Sequence, residues 1–571
     1  MRPWRLVGSV ALVAALAACG LRGTDAGDAS SYPTPTAPLA TPAPAPTAGP
    51  LPDDPALADY YAQRIEWSAC GSALQCANLR VPLNYAAPAS GDIRLALVRR
   101  PAENPAKRVG SLVVEPGGPG VSGVEFVRAS RGTVNTAARE VMDVVGFDPR
   151  GVGKSEPVEC LNDAQTDEFI AADPPGPSVP EADPVTSGSP GSGAAPDTPS
   201  DPVSGGPAFG SAASPAATPA PSDPRYDDGQ GLLETSREFG TSCAARTPRI
   251  VPFMATADVA RDLDILRAAL AEEKLNYLGY SYGTLIGATY AEYFPARVGR
   301  MVLDGAMDPS LDATQISQQQ SVSFQTAFER FVLSCTAGPD CPLGTDPTVG
   351  MARLQNFIAG LDANPLRTDD PDRPLTQSLA VNALAGSMYR PQSGWPLLES
   401  GLAAALGGDG EPMLQIADAF IERGPDGEYL SNSQAAMYAV TCLDDTERPD
   451  AARAEELAAA WTPQSPIMGP LLAWSMLPCH TWPVAAVGGP SQISAAGAPP
   501  ILVVGTEFDP ATPYSWAVAL ASGLQSGVLL TWAGGDGHLA YNRGSDCVDR
   551  VVNGLLVDGR PPAGDTVCTA S

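Results

Sequence analysis

Residues 275–294 read LNYLGYSYGTLIGATYAEYF and constrain the fold more than any other stretch. Leu275 to Tyr280 has the make-up of a buried strand, and Tyr282 to Phe294 has that of a helix. Ser281 alone must then carry the change of direction. So sharp a turn forces the serine into a strained backbone, and bulky flanking residues would collide. Gly279 and Gly283 remove those collisions, which makes the G-x-S-x-G spacing the signature of a nucleophile elbow. The helix that follows aims backbone N–H groups and its positive dipole end at the serine.

The same rhythm recurs along the chain. SLVVEPGG, VMDVVGFDPRGVGKS, VGRMVLDG, PPILVVGTEFDP and GVLLTWAGGDGH are short apolar runs that each stop at a loop. TADVARDLDILRAALAEEKL carries Val259, Leu263, Leu266 and Leu270 at helical spacing, with Thr256 as the expected N-cap. Apolar strands alternating with helices predict an α/β fold: a parallel sheet covered on both faces, with function in the loops at the strand C-terminal ends. From Asp308 to roughly Pro490 the pattern turns helical, as in QQQSVSFQTAFERFVLSC and AARAEELAAAWT. The expected organisation is a core over 58–308, an inserted helical cap over 309–489, and a C-terminal core segment over 490–571.

A serine hydroxyl is a weak nucleophile until a base takes its proton. The chain has two histidines, His480 and His538, and hydrolases with this elbow run in the order Ser, acid, His. Both follow Ser281. His538 lies in WAGGDGHLAY, a glycine-rich loop just past a strand, and is the expected base; His480, in LPCHTWP, reads as structural. The acid is expected just past a strand and before His538. Asp509, in ILVVGTEFDPATP, meets that condition, with Glu507 and Asp536 as rivals. An oxyanion hole needs two fixed donors. The N–H of Tyr282 is one, and VVEPGGPGVSG supplies the other from Gly118, with Gly117 as the fallback because Pro119 has no N–H.

Composition bears on where the chain works. A formal net charge of −29 disfavours nucleic acid and anionic lipid surfaces. Arg2 and Arg5 precede an apolar run from Leu6 to Ala18, too short to span a bilayer comfortably and suited to a secretory signal. Residues 1–19 therefore read as a signal peptide. Its end, LAACG, resembles the bacterial lipoprotein signal, which makes Cys19 the expected lipidated residue and a lipid chain the expected membrane contact. Setting Cys19 aside leaves ten of the eleven cysteines, an even number that fits disulfides in an exported chain. The simplest pairing is Cys70–Cys76, Cys160–Cys243, Cys335–Cys341, Cys442–Cys479 and Cys547–Cys568; connectivity does not follow from sequence alone. The lack of a C-x-x-C pair and the scarcity of histidine weigh against a metal, and no cofactor is expected. Residues 20–57 are rich in Pro, Ala and Thr and read as a solvated tether. A stretch from about 173 to 228 has almost no large apolar residue and reads as a disordered surface insertion.

Taken together, EPGGPGVSG, GFDPRGVGKS, NYLGYSYGTLIGATYAEYFP, VGRMVLDG, GTEFDPATP and GDGHLAY stand in the order seen in the tripeptidyl-aminopeptidase-like serine hydrolases. These are relatives of prolyl aminopeptidases within the α/β-hydrolase superfamily, and the exported actinobacterial members look most similar. The resemblance spans roughly residues 60–571 apart from the Pro/Ser-rich insertion. It implies an α/β-hydrolase core with a helical cap, and cleavage of short peptides from a free N-terminus through an acyl-enzyme. Family members commonly carry Asn or His where this chain has Glu115. An ionised carboxylate there would oppose an oxyanion, so Glu115 must point away, be neutralised, or mark altered activity, and it stands with Asp444 as a candidate substrate-binding residue.

A peptidase acting on N-termini must hold an ammonium group, which a cleft carboxylate does well. YAVTCLDDTE offers Asp444 for that task, and a solvated acid pair with Asp445 is the competing reading. The leading expectation is an exported, monomeric serine exopeptidase acting on peptides. A carboxylesterase or lipase on the same scaffold is the first alternative, because ester and amide hydrolysis share this machinery. A non-catalytic envelope lipoprotein is the second.

Overall fold

The computed structural model describes residues 54–174 and 229–570. The expected signal peptide, Cys19, nearly all of the tether and nearly all of the 173–228 insertion lie outside the described residues. Among the described residues, the strands are β1 (Ser68–Ala69), β2 (Gln75–Pro82), β3 (Asp92–Arg100), β4 (Gly110–Glu115), β5 (Met142–Phe147), β6 (Leu275–Tyr280), β7 (Val298–Asp304), β8 (Ile501–Phe508), β9 (Gly527–Asp536) and β10 (Thr566–Thr569). They form one sheet in the order β1-β2-β3-β5-β4-β6-β7-β8-β9-β10. β1, β2, β3 and β5 pair antiparallel in succession, and every pairing from β5 onward through β4 and β6 to β10 is parallel.

The period of two along the central strands divides the interior into two layers. Val113, Val145, Tyr277, Met301, Leu303, Ile501 and Val503 face one way. There they meet Val259, Leu263 and Leu266 of the helix Thr256–Ala269 and Ile286 and Tyr290 of the helix Tyr282–Tyr293. Their neighbours Leu112, Val114, Val144, Leu278, Val302, Leu502 and Val504 face the other way, against Val124 and Val127 of one helix and Val548, Val552 and Leu555 of another. Strands covered on both faces read as unbroken apolar runs, which is why these were visible in the sequence.

Residues 313–480 contribute helices and no strand of the sheet. Phe324, Phe328, Phe331, Leu379, Leu384, Leu398 and Met413 form a core of their own. Further on, Ala436, Val440, Leu443 and Trp482 instead join the layer beneath the sheet. All five expected disulfides are formed.

Two expectations need correction. Leu57 falls within the expected tether, but it is fully buried in the core, in a short 3-10 turn Pro55–Leu57 capped by Asp54. One apolar side chain in a proline-rich context was enough to anchor the segment. Thr256 was expected as an N-cap, but it is the first helical residue, and Ala255 at the cap position offers no side-chain bond. The free N–H of Thr256 donates to Asp444 Oδ1 at 3.0 Å, so a carboxylate from a distant helix does the capping.

Arg150 of the GFDPRGVG loop locks the core to that same helix. Its guanidinium is fully buried and donates to both carboxyl oxygens of Asp262, at 2.8 and 2.7 Å, and to the carbonyls of Pro82, Leu83 and Phe253. Tyr85 donates to Asp262 as well, at 2.6 Å. Removing one partner strands a buried charge. Asp262→Ala should therefore cost about 3–5 kcal/mol in urea unfolding; a loss below about 1 kcal/mol would contradict a buried pair of this kind.

Candidate active site

β6 ends at Tyr280, and Ser281 turns the chain with φ 54° and ψ −127°. This left-handed backbone is costly for a residue with a Cβ and persists only where neighbours over-determine it. The neighbours are close. A Cβ on Gly279 would lie 2.5 Å from the carbonyl oxygen of Gly283, and one on Gly283 would lie 2.6 Å from that of Glu115. The Ser281 N–H donates to the carbonyl of Asp304, the last residue of β7, at 2.9 Å.

Asp304 ties this turn to the histidine loop. Its carboxylate is fully buried and accepts from the N–H groups of Ala540 and Tyr541, at 3.0 and 2.9 Å. Burial pushes its proton affinity up, to a pKa of about 6, against the pull of those two donors. The next residue, Gly305, has φ 66°, and a Cβ there would come within 3.3 Å of His538 Cε1. The imidazole thus stands beside the strand end that receives the serine N–H.

His538 and Asp509 are bonded, with Nδ1 2.9 Å from each carboxyl oxygen. Both are buried. Asp509 also accepts from the N–H groups of Ala511, Thr512 and Leu539, at 2.9, 2.9 and 3.1 Å. A carboxyl group so well supplied with donors is fixed in place against the imidazole. The Thr512 hydroxyl lies 3.4 Å from the same Nδ1, and Tyr389 sets its ring edge-on to the imidazole at 5.0 Å while its carbonyl accepts the His538 N–H. Nothing in the sequence around Tyr389 marks it as a neighbour of His538. Asp304 ends a strand just as Asp509 follows one, and that position was its available signal.

The rival acids are engaged elsewhere. Glu507 is exposed and accepts from Gly534 N–H at 2.6 Å, and Asp536 is paired with Arg330. His480 is exposed and bonded through Nδ1 to the carbonyl of Arg448.

In the glycine loop after β4, Gly117 is buried and its N–H donates to Glu115 Oε1 at 3.3 Å. Gly118 is exposed with φ 108°. Among the described residues, neither the Gly118 N–H nor the Tyr282 N–H donates to another protein group. A Cβ on Gly117 would lie 2.8 Å from Tyr282 N, so this loop is pressed against the elbow. Glu115 itself is 1% exposed, and burial, with Asp148 nearby, raises its proton affinity well above the ordinary glutamate range.

Asp444 reaches the site from the side. Its carboxylate accepts from the Thr256 N–H and hydroxyl and from the Tyr282 hydroxyl, the last at 3.3 Å. Burial outweighs these bonds and lifts its pKa to about 7. A separate open depression of about 640 Å³ lies between the helix Ala313–Thr336 and the end of β8, lined by Gln318, Ser323, Glu507, Phe508 and Tyr514. Ser281, Tyr282 and His538 do not line it.

The sheet order, the elbow and the loop-borne Asp–His pair define the α/β-hydrolase class. Residues 110–396 match the α/β-hydrolase fold family, and residues 465–568 match the TAP-like protein family. The chain is 33% identical to the Mycobacterium tuberculosis serine protease Hip1 over 539 residues, covering 89% of this chain and 91% of that protein. It is 33% identical to carboxylesterase B of the same organism, covering 93% and 94% of the two chains. To tripeptidyl aminopeptidase of Streptomyces lividans it is 30% identical, covering 88% and 86%. The chain belongs to the tripeptidyl-aminopeptidase-like branch of the α/β-hydrolase family, and is a serine hydrolase.

The elbow predicts its own sensitivity. Gly283→Ala should lower both the melting temperature and the hydrolytic rate, by about 1–3 kcal/mol in stability, because the new methyl group meets a backbone carbonyl that cannot swing aside. Gly360→Ala, where a Cβ meets nothing within 4 Å, should leave both intact. Equal effects of the two, read by thermal melts and ester turnover, would contradict a close-packed elbow.

Proposed function

We propose that the protein is an exported serine exopeptidase that releases short peptides from free N-termini through an acyl-enzyme on Ser281. The observation that carries this reading is the buried Asp509–His538 pair beside the Ser281 turn. His538 Nε2 takes the Ser281 proton as Oγ attacks the scissile carbonyl. Asp509 holds the Nδ1–H tautomer and stabilises the imidazolium. The N–H groups of Tyr282 and Gly118 receive the oxyanion, and Gly117 drops out as a donor because its N–H is already taken by Glu115. The imidazolium then gives its proton to the leaving amine. Water, deprotonated by the same imidazole, releases the acyl group and restores the serine. His538 must be neutral to start the cycle, so the rate falls on the acidic side.

In this reading Asp444 binds the substrate ammonium. Its closeness to Tyr282, the residue next to the nucleophile, supports the assignment, although the same carboxylate also caps the helix at Thr256. Peptides in place of esters are favoured by the relatives named serine protease and tripeptidyl aminopeptidase. The relative named carboxylesterase keeps ester hydrolysis as the second reading. Export is supported by five disulfides. No helix among the described residues is long and apolar enough to cross a membrane, and the lipid anchor at Cys19 and the monomeric state remain part of the proposal.

Labelling with a fluorophosphonate probe should be lost in Ser281→Ala, together with at least about a thousandfold of turnover. Labelling that survives that substitution would remove Ser281 from the mechanism. Asp444→Asn should raise KM for tripeptidyl-coumarins about tenfold or more while ester KM holds; parallel changes for both would remove the ammonium role. The carboxylate must be ionised to bind an ammonium, and its pKa is lifted to about 7. Peptide KM should therefore climb as pH falls below 7, with no such climb for a neutral ester.

A further inference from the structure

Glu115 closes β4 in register with Gly279 of β6, beneath the elbow. Its Cγ lies 3.0 Å from where a Cβ on Gly283 would stand. One carboxyl oxygen accepts the Gly117 N–H at 3.3 Å, and the other, Oε2, is buried with no hydrogen-bond partner. The groups facing it do not relieve this. From β6, Tyr277 spends its hydroxyl on the Gly283 carbonyl at 2.7 Å. From the elbow, the Tyr282 hydroxyl is engaged with Thr256 and Asp444. The loop after β5 brings Asp148, whose carboxyl group accepts from the Ser122 hydroxyl at 2.5 Å and from the N–H groups of Val124 and Lys154. An ionised carboxylate in this position would be a buried charge beside the Asp148 carboxyl group, with no cation bonded to it among the described residues.

We propose that Glu115 is a positioning residue that fixes the Gly117 peptide and so aims the Gly118 N–H, and that placing a charge on its unpartnered carboxyl group as pH rises disables the oxyanion loop. The proposal rests on the reading of Gly118 and Tyr282 as oxyanion donors. Two consequences of ionisation act in the same direction. The buried anion strains the loop that must stay still, and its charge opposes the negative charge that builds up on the substrate oxygen in the transition state.

The stability consequence has a definite sign. An acid that keeps its proton when folded but loses it when unfolded makes stability fall as pH rises above the ordinary glutamate range, until the folded group also ionises. Glu115→Gln removes that slope. Its amide oxygen can still accept the Gly117 N–H.

The test uses the full chain, wild type and Glu115→Gln, in two arms. In thermal unfolding, the melting temperature of the variant relative to wild type should rise between pH 5 and pH 8.5; an equal difference at both values overturns the neutral acid. In turnover of a short p-nitrophenyl ester, which carries no amine to titrate, the variant-to-wild-type rate ratio should grow at least about tenfold between pH 7 and pH 10. A constant ratio overturns the alkaline control. Should the variant not fold, wild type alone decides the second arm: a rate flat to pH 10 overturns it. Fluorophosphonate labelling of Ser281 in wild type separates the levels. Its absence overturns the hydrolase reading and the oxyanion role with it, while the unfolding arm still judges the proton on its own.

Discussion

The site depends on one strained residue. Ser281 sits in a left-handed backbone that costs of the order of 1–3 kcal/mol, and the structure holds it there by close backbone contact and by the bond from its N–H to the Asp304 carbonyl. Gly279, Gly283 and Gly117 bring three backbone segments closer than any side chain would allow. The strand before the turn and the helix after it are both anchored in the same buried layer, through Tyr277 and Ile286. The strain is thus borne by the sheet, and the serine is left half-exposed at its edge.

Around the turn, buried acids are handled in different ways, and each way suits a task. Asp509 accepts three backbone N–H groups besides the imidazole, and these fix its carboxyl group against His538. Asp304 accepts two, and uses them to pin the loop after His538 to the strand that receives the serine N–H. Glu115 accepts one.

Much of this was legible in the sequence. Central strands covered on both faces are uninterrupted apolar runs, so β4 to β9 could be read directly, together with the helices Thr256–Ala269 and Tyr282–Tyr293. Scarcity made His538 readable, since the chain has only two histidines. The antiparallel strands β1 to β3 were not read, because Gln75–Pro82 and Asp92–Arg100 mix charged and apolar residues in a weak alternation. The cap at Thr256 is hidden from the sequence for a different reason. A local rule looks for a capping side chain at the helix start, and the group that serves lies 188 residues away, in Asp444. The contact of Tyr389 with His538 is equally non-local. Pairing across such distances is set by topology, which a pattern of neighbouring residues does not carry.

The central claim is that a hydroxyl at the elbow, an imidazole held by Asp509, and two free backbone N–H groups converge on one reacting carbonyl. A crystal structure of the protein inactivated by a fluorophosphonate measures that convergence directly. The account predicts phosphorus bonded to Ser281 Oγ, with the phosphoryl oxygen within about 3 Å of both the Tyr282 and Gly118 nitrogens and the His538 ring alongside. A phosphoryl oxygen turned away from both amides, or an adduct on another residue, would contradict it.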